Sequence, residues 1–160
     1  MVEVTVAQLR MDPNTNSPVV VLREKDGVRE LPIWIGPNEA SAIAMELAGV
    51  KFARPLTHDL VRQIIVGLGA RLHQVCITTV ENNTYYAELE LRRDGQVVQV
   101  DARPSDSIAV ALRLNAPIFA NEDLFPDPND PAPSPSPLDA DRLRDYLKDL
   151  DPEDFGKFQM

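Results

Sequence analysis

Two stretches decide the fold. Gly36-Pro37-Asn38-Glu39-Ala40-Ser41-Ala42-Ile43-Ala44-Met45-Glu46-Leu47 is followed, 67 residues later, by Arg103-Pro104-Ser105-Asp106-Ser107-Ile108-Ala109-Val110-Ala111-Leu112-Arg113-Leu114. Pro, two Ala and Leu recur at matching places, Glu39 is answered by Asp106, and Ile43 by Val110. Proline fits the first helical position, where its missing N–H costs nothing. An acid two residues later lies in the first turn, where it meets the positive end of the helix dipole. Further out, Phe52-Ala53 aligns with Phe119-Ala120 and Asn16-Ser17 with Asn83-Thr84. A fixed separation of this kind reads as an internal duplication.

Each proposed copy carries strand patterns before its helix. Val2, Val4 and Val6 alternate with polar residues, Val19 to Leu22 is a continuous β-rich run, and Leu31, Ile33 and Ile35 alternate again. In the second copy the alternating sets are Val75 and Ile77; Tyr85, Ala87, Leu89 and Leu91; and Val98, Val100 and Ala102. Asp26-Gly27, Asn82-Asn83 and Asp94-Gly95 separate these runs and predict hairpin turns. Hairpins make a mainly antiparallel sheet. A further helix is predicted after Thr57, read as its N-cap, with Leu60, Val61, Ile64, Ile65 and Leu68 as its apolar face and Gly67 and Gly69 at its end. The expected class is α+β: two β-strand/helix repeats sharing one mainly antiparallel, curved or barrel-like sheet.

The chain has 160 residues, 44% of them hydrophobic and 26% charged, the profile of a soluble globular protein. No apolar run is long enough to span a membrane, and MVEVTVAQLR is no signal peptide. A single cysteine, Cys76, excludes an internal disulfide and a multi-cysteine zinc cage. A cytoplasmic location is expected. Six of the 14 prolines fall between Phe125 and Pro137, so the expected organisation is a body over 1–125, a Pro-rich linker over 126–137, and a C-terminal segment over 138–160. In that segment Leu143, Tyr146, Leu147 and Leu150 have helical spacing. It is expected to dock on the body or to recruit a protein partner.

The net charge of -9 is unevenly spread. Residues 121–160 hold eleven acids against four bases, a balance of -7, and residues 1–120 hold 14 acids against 12 bases, a balance of -2. A nearly neutral body excludes a broad electrostatic nucleic-acid binder, but not a local basic site.

Two segments offer such a site: Ala53-Arg54-Pro55-Leu56-Thr57-His58-Asp59 and Ala102-Arg103-Pro104-Ser105-Asp106. Both read Ala-Arg-Pro, then a hydroxyl residue and an aspartate at a helix start. Helix N-termini attract anions, and an arginine fork suits phosphate. Asp59, Asp106 and Glu39 are oxygen donors able to hold Mg²⁺ or Mn²⁺. His58 is a candidate general base. Arg54, Arg103, Thr57 and Ser105 are candidate phosphate contacts. Each residue also has a purely structural reading: the acids as partners of helix dipoles, the arginines as partners of those acids, Trp34 and Tyr85 as packing. No Walker loop, GxGxxG, HExxH, GxSxG or paired CxxC is present.

The same segments carry a resemblance. Leu31-Pro32-Ile33-Trp34-Ile35-Gly36 with Glu39, then Arg54-Pro55-Leu56-Thr57-His58-Asp59-Leu60, then Ala102-Arg103-Pro104-Ser105-Asp106-Ser107 resemble the signature segments of the bifunctional nuclease domain family, over about residues 1–125. The ending Asp154-Phe155-Gly156-Lys157-Phe158 is similar to tails of bacterial, particularly actinobacterial, members. The resemblance implies a duplicated β/α domain and DNase and RNase activity. On that basis the expected function is divalent-metal-assisted phosphodiester hydrolysis of DNA and RNA. Asp59, Asp106 and Glu39 would hold the metal, His58 would move the proton, and Arg54 and Arg103 would hold the phosphate. The alternatives are a non-enzymatic regulatory or binding module and a binder of a small phosphorylated ligand. A homodimer is expected from exposed sheet edges. Convergence of the two Ala-Arg-Pro segments is the discriminating observation.

Overall fold

The computed structural model describes residues 1–127, 129 and 136–137. The remainder of the Pro-rich linker and the helix expected over 138–160 lie outside the described residues. The strands are β1 (Val2–Met11), β2 (Pro18–Glu24), β3 (Glu30–Trp34), β4 (Arg71–Glu81), β5 (Thr84–Arg93), β6 (Gln96–Ala102), β7 (Ile118–Ala120) and the two-residue β8 (Ser136–Pro137). The helices are α1 (Pro37–Leu47), α2 (Thr57–Gly67) and α3 (Pro104–Leu114).

They build one sheet in the order β3-β2-β1-β7-β4-β5-β6, with β8 pairing to β1. The sheet is antiparallel except where β4 runs parallel to β7. It does not close. Among the described residues β3 and β6 each pair on one side only, so the architecture is an open α+β sheet and not a barrel. β1-β2-β3-α1 and β4-β5-β6-α3 have the same element order. β7 joins these two meanders by bonding to β1 on one side and β4 on the other. Here the sequence alignment of Phe52-Ala53 with Phe119-Ala120 has no structural counterpart, because Phe52-Ala53 lies in the loop before α2 while Phe119-Ala120 is sheet.

The turns have local causes. Asn82 and Asn83 both have positive φ, as do Asp94 and Gly95, the type I′ geometry that matches the twist of paired strands. Both α1 and α3 begin at a proline. Thr57 is not the cap of α2 but its first residue. Leu56 takes the cap position, and its N–H donates to Asp59 Oδ2 at 3.0 Å.

The core lies between the sheet and the helices. The continuous apolar run in β2 is buried on both faces, with Val19, Val20 and Leu22 wholly enclosed. Helix α3 packs between α1 and α2 and against β4 and β5. The apolar face predicted for α2 is only partly covered: Ile65 is buried and Val61 packs on the core, but Leu60, Ile64 and Leu68 are exposed.

One buried charge fixes the helices. The Arg113 side chain, on the last turn of α3, is only 4% exposed. Its Nε donates to Asp59 Oδ1 of α2 at 2.8 Å, one terminal nitrogen to the Ala109 carbonyl at 2.9 Å, and the other to the Ala42 carbonyl of α1 at 3.1 Å. A buried guanidinium is tolerated when it is paired and hydrogen-bonded, and here the pairing joins all three helices.

Arg113→Met removes the guanidinium and leaves Asp59 and the Ala42 and Ala109 carbonyls without these donors. Urea unfolding should show a loss of about 3 kcal/mol. Asp59→Asn should cost less, since an amide oxygen still accepts from Arg113. A loss below about 1 kcal/mol for Arg113→Met, the scale of an exposed pair, would show that the clamp is not structural.

Candidate active site

The starts of α1, α2 and α3 converge. Glu39 is the third residue of α1, His58 the second of α2 and Asp106 the third of α3. Arg103, the residue before α3, reaches both acids: its Nε donates to Asp106 Oδ2 at 2.7 Å, and a terminal nitrogen lies 2.9 Å from Glu39 Oε1. The other oxygen of Asp106 lies 2.9 Å from His58 Nε2. Glu39, Arg103, Asp106 and His58 thus form a continuous chain of contacts spanning three helix N-termini. The two Ala-Arg-Pro segments meet through the last of these contacts.

These four side chains line a cavity of about 800 Å³. Asn38 and Thr57 line it too, together with Val61, Leu89, Val100 and Val110. The His58 side chain is 14% exposed, whereas Arg103 is 65% exposed and accessible from solvent.

Electrostatics sets the protonation of the pair. Burial pushes the Asp106 carboxyl up, but hydrogen bonds from Arg103 and His58 outweigh it and hold the group below its ordinary value. The same contact, reinforced by the charge of Asp106, raises Arg103. An ionised carboxylate only accepts hydrogen bonds, so His58 Nε2 carries a hydrogen and Nδ1 is the nitrogen that would hold the lone pair of a neutral ring. With that ring neutral, the four groups sum to one negative charge. Three helix N-termini contribute roughly half a positive charge each, enough to offset it.

The expected site residues divide. Glu39, His58, Asp106, Arg103 and Thr57 line the main cavity. Asp59 does not join them. It points to Arg113 and lines a separate cavity of about 510 Å³ with Lys51 and Arg62. Burial raises its carboxyl, while the Leu56 N–H and Arg113 more than compensate and lower it. The carboxylate set expected to hold Mg²⁺ or Mn²⁺ is therefore not assembled. Asp59 is spent on the helix clamp, and Glu39 and Asp106 share a guanidinium. Among the described residues no three His, Cys, Asp or Glu side chains come together as a metal site. Arg54 is exposed and lines neither of these cavities. Ser105 is buried and lines a third cavity, which also includes Arg103.

Sequence reasoning missed Arg113. Its signal was its place four residues after Ala109 and eight after Ser105, on a helix face of small residues where a long charged side chain needs a buried partner.

The bifunctional nuclease domain family matches residues 20–129. The chain belongs to the bifunctional nuclease domain family. An uncharacterised protein of Mycobacterium tuberculosis is 42% identical over 164 residues, covering 97% of this chain and 98% of that protein. Bifunctional nuclease 1 of Arabidopsis thaliana is 31% identical over 111 residues, 67% of this chain and 34% of the plant protein. The bifunctional nuclease of Oryza minuta is 26% identical over 159 residues, 94% of this chain and 48% of its own. The chain spans half or less of the length of these plant relatives. The cluster at the three helix starts lies inside the family match.

The depressed carboxyl of Asp106 gives a pH prediction. Its contribution to stability is present above its unfolded value, about 3.9 for an aspartate, and is lost as pH falls through the lower folded value. Carboxyl ¹³C NMR should place its midpoint below about 3.9, and His58→Ala should move that midpoint up. A midpoint at or above the ordinary value would mean that Arg103 and His58 do not hold the carboxylate.

Proposed function

We propose that this chain hydrolyses phosphodiester bonds in nucleic acid, at the point where the three helices begin. The observation that carries the reading is the His58–Asp106–Arg103–Glu39 chain of contacts lining one cavity. Asp106 fixes the ring so that Nδ1 of His58 is the basic nitrogen, the arrangement of a base oriented by a third group. In the reaction, a water molecule gives its proton to Nδ1 while its oxygen bonds to phosphorus. The ester P–O bond breaks and the leaving oxygen takes a proton from solvent. Arg103 and the free N–H groups of the helix starts stabilise the charge that builds on the phosphoryl oxygens. The family relationship and the plant relatives' names support the substrate class. As arranged, the carboxylates do not form a metal cage, so no step is assigned to a metal ion.

Highly purified chain should cleave single-stranded DNA or RNA. His58→Ala should reduce the rate by about 10²–10⁴-fold, the usual contribution of a general base. Arg103→Lys should also lose much of the activity, because an ammonium lacks the planar fork. Assays in EDTA and in Mg²⁺ or Mn²⁺ separate this reading from a metal-assisted one: activity that needs added metal would overturn the metal-free step. Equal cleavage by wild type and His58→Ala would overturn the site, and saturable binding of a small phosphorylated ligand without cleavage would favour a binding module.

A further inference from the structure

Trp34 is the chain's only tryptophan. It ends the edge strand β3 and remains 41% exposed. Its indole N–H donates to Asp12 Oδ2 at 2.8 Å. The ring is therefore held in place without being covered, the condition of a pre-set platform and not of a core residue. It lines a cavity of about 340 Å³ with Tyr85, Asn83, Ser17, Ser105 and Arg103. Arg103 also lines the main cavity, so this one guanidinium forms part of the wall of both.

We propose that the Trp34–Tyr85 cavity is a subsite for an unpaired nucleobase, adjacent to the phosphate held at Arg103. This deepens the hydrolase reading above and rests on it. A cavity of this size lies at the small end of ligand pockets and suits one base. An exposed indole stacks on any base face, and a neighbouring arginine takes the phosphate that follows. The main cavity is lined by no Phe, Tyr or Trp, so of these two cavities the one on the Trp34 side of Arg103 offers aromatic stacking. The substrate class is then single-stranded. In a duplex the base faces are already stacked, and residues 1–120 carry a net charge of -2, which gives little of the backbone neutralisation that holds duplex DNA. Bases splayed from a single strand supply the missing affinity by stacking.

Because Trp34 is alone, its emission reports the subsite directly. Full-length His58→Ala, used to prevent cleavage, is titrated at low salt with a short oligothymidylate, an abasic strand of equal length and a blunt duplex. Binding is followed independently by the anisotropy of a labelled strand. Oligothymidylate should change the Trp34 emission saturably, and the abasic strand and duplex should not. In the same background Trp34→Leu should weaken oligothymidylate binding about tenfold, and Trp34→Phe should retain most of it. Anisotropy binding with unchanged emission, or with undiminished affinity in Trp34→Leu, would overturn the subsite and leave the hydrolase reading standing. No binding, together with no cleavage by the wild-type chain, would overturn both.

Discussion

The Arg113 guanidinium is the interaction on which the rest depends. A charge buried to this degree must be neutralised and hydrogen-bonded, or the fold loses several kcal/mol. Its three partners lie on α1, α2 and α3. This constraint sets how far α2 can move from α3. Asp59 and His58 are neighbours at the start of α2, so anchoring the first presents the second. While Asp59 is tied to Arg113, His58 meets Asp106 at 2.9 Å. Adjacent residues divide the labour: one holds the helix and the other faces the cavity.

The arrangement places positive helix ends close together without exposing a strongly basic surface. Glu39 and Asp106 balance Arg103 and keep its long side chain at the site. The acids also complement the dipoles of their own helices. A nearly neutral body can therefore keep a local cluster of positive helix ends without a broadly basic surface. The pairing has a chemical consequence as well. Asp106, kept ionised by Arg103, determines which nitrogen of His58 holds the proton, so the residue that organises the charge also orients the imidazole.

Much of the fold was legible in the chain because local rules dominate there. Pro37 and Pro104 suit the first helical position, Asn82-Asn83 and Asp94-Gly95 favour hairpin turns, and alternating valines favour strands. What the sequence did not show was tertiary. Ile118–Ala120 is too short to read as a strand, yet it joins the two meanders. Nothing in the pattern of Leu60, Ile64 and Leu68 told that this stripe stays exposed. In the site, the helix starts and their polar residues were visible as two Ala-Arg-Pro segments. Asp59 was grouped with Asp106 because they occupy similar local positions, but partner choice is set across the fold. Arg113, 54 residues away, takes Asp59 from the cluster.

In the proposed function the three helix N-termini act together on one phosphate. The most direct measurement is backbone amide NMR of the full chain, titrated with a dinucleotide bearing a non-hydrolysable phosphonate linkage. Asn38 and Glu39, His58 and Asp59, and Ser105 and Asp106 should shift together with one saturation curve. Shifts confined to a single helix start, or centred on Lys51 and Arg62 around the other cavity, would contradict it.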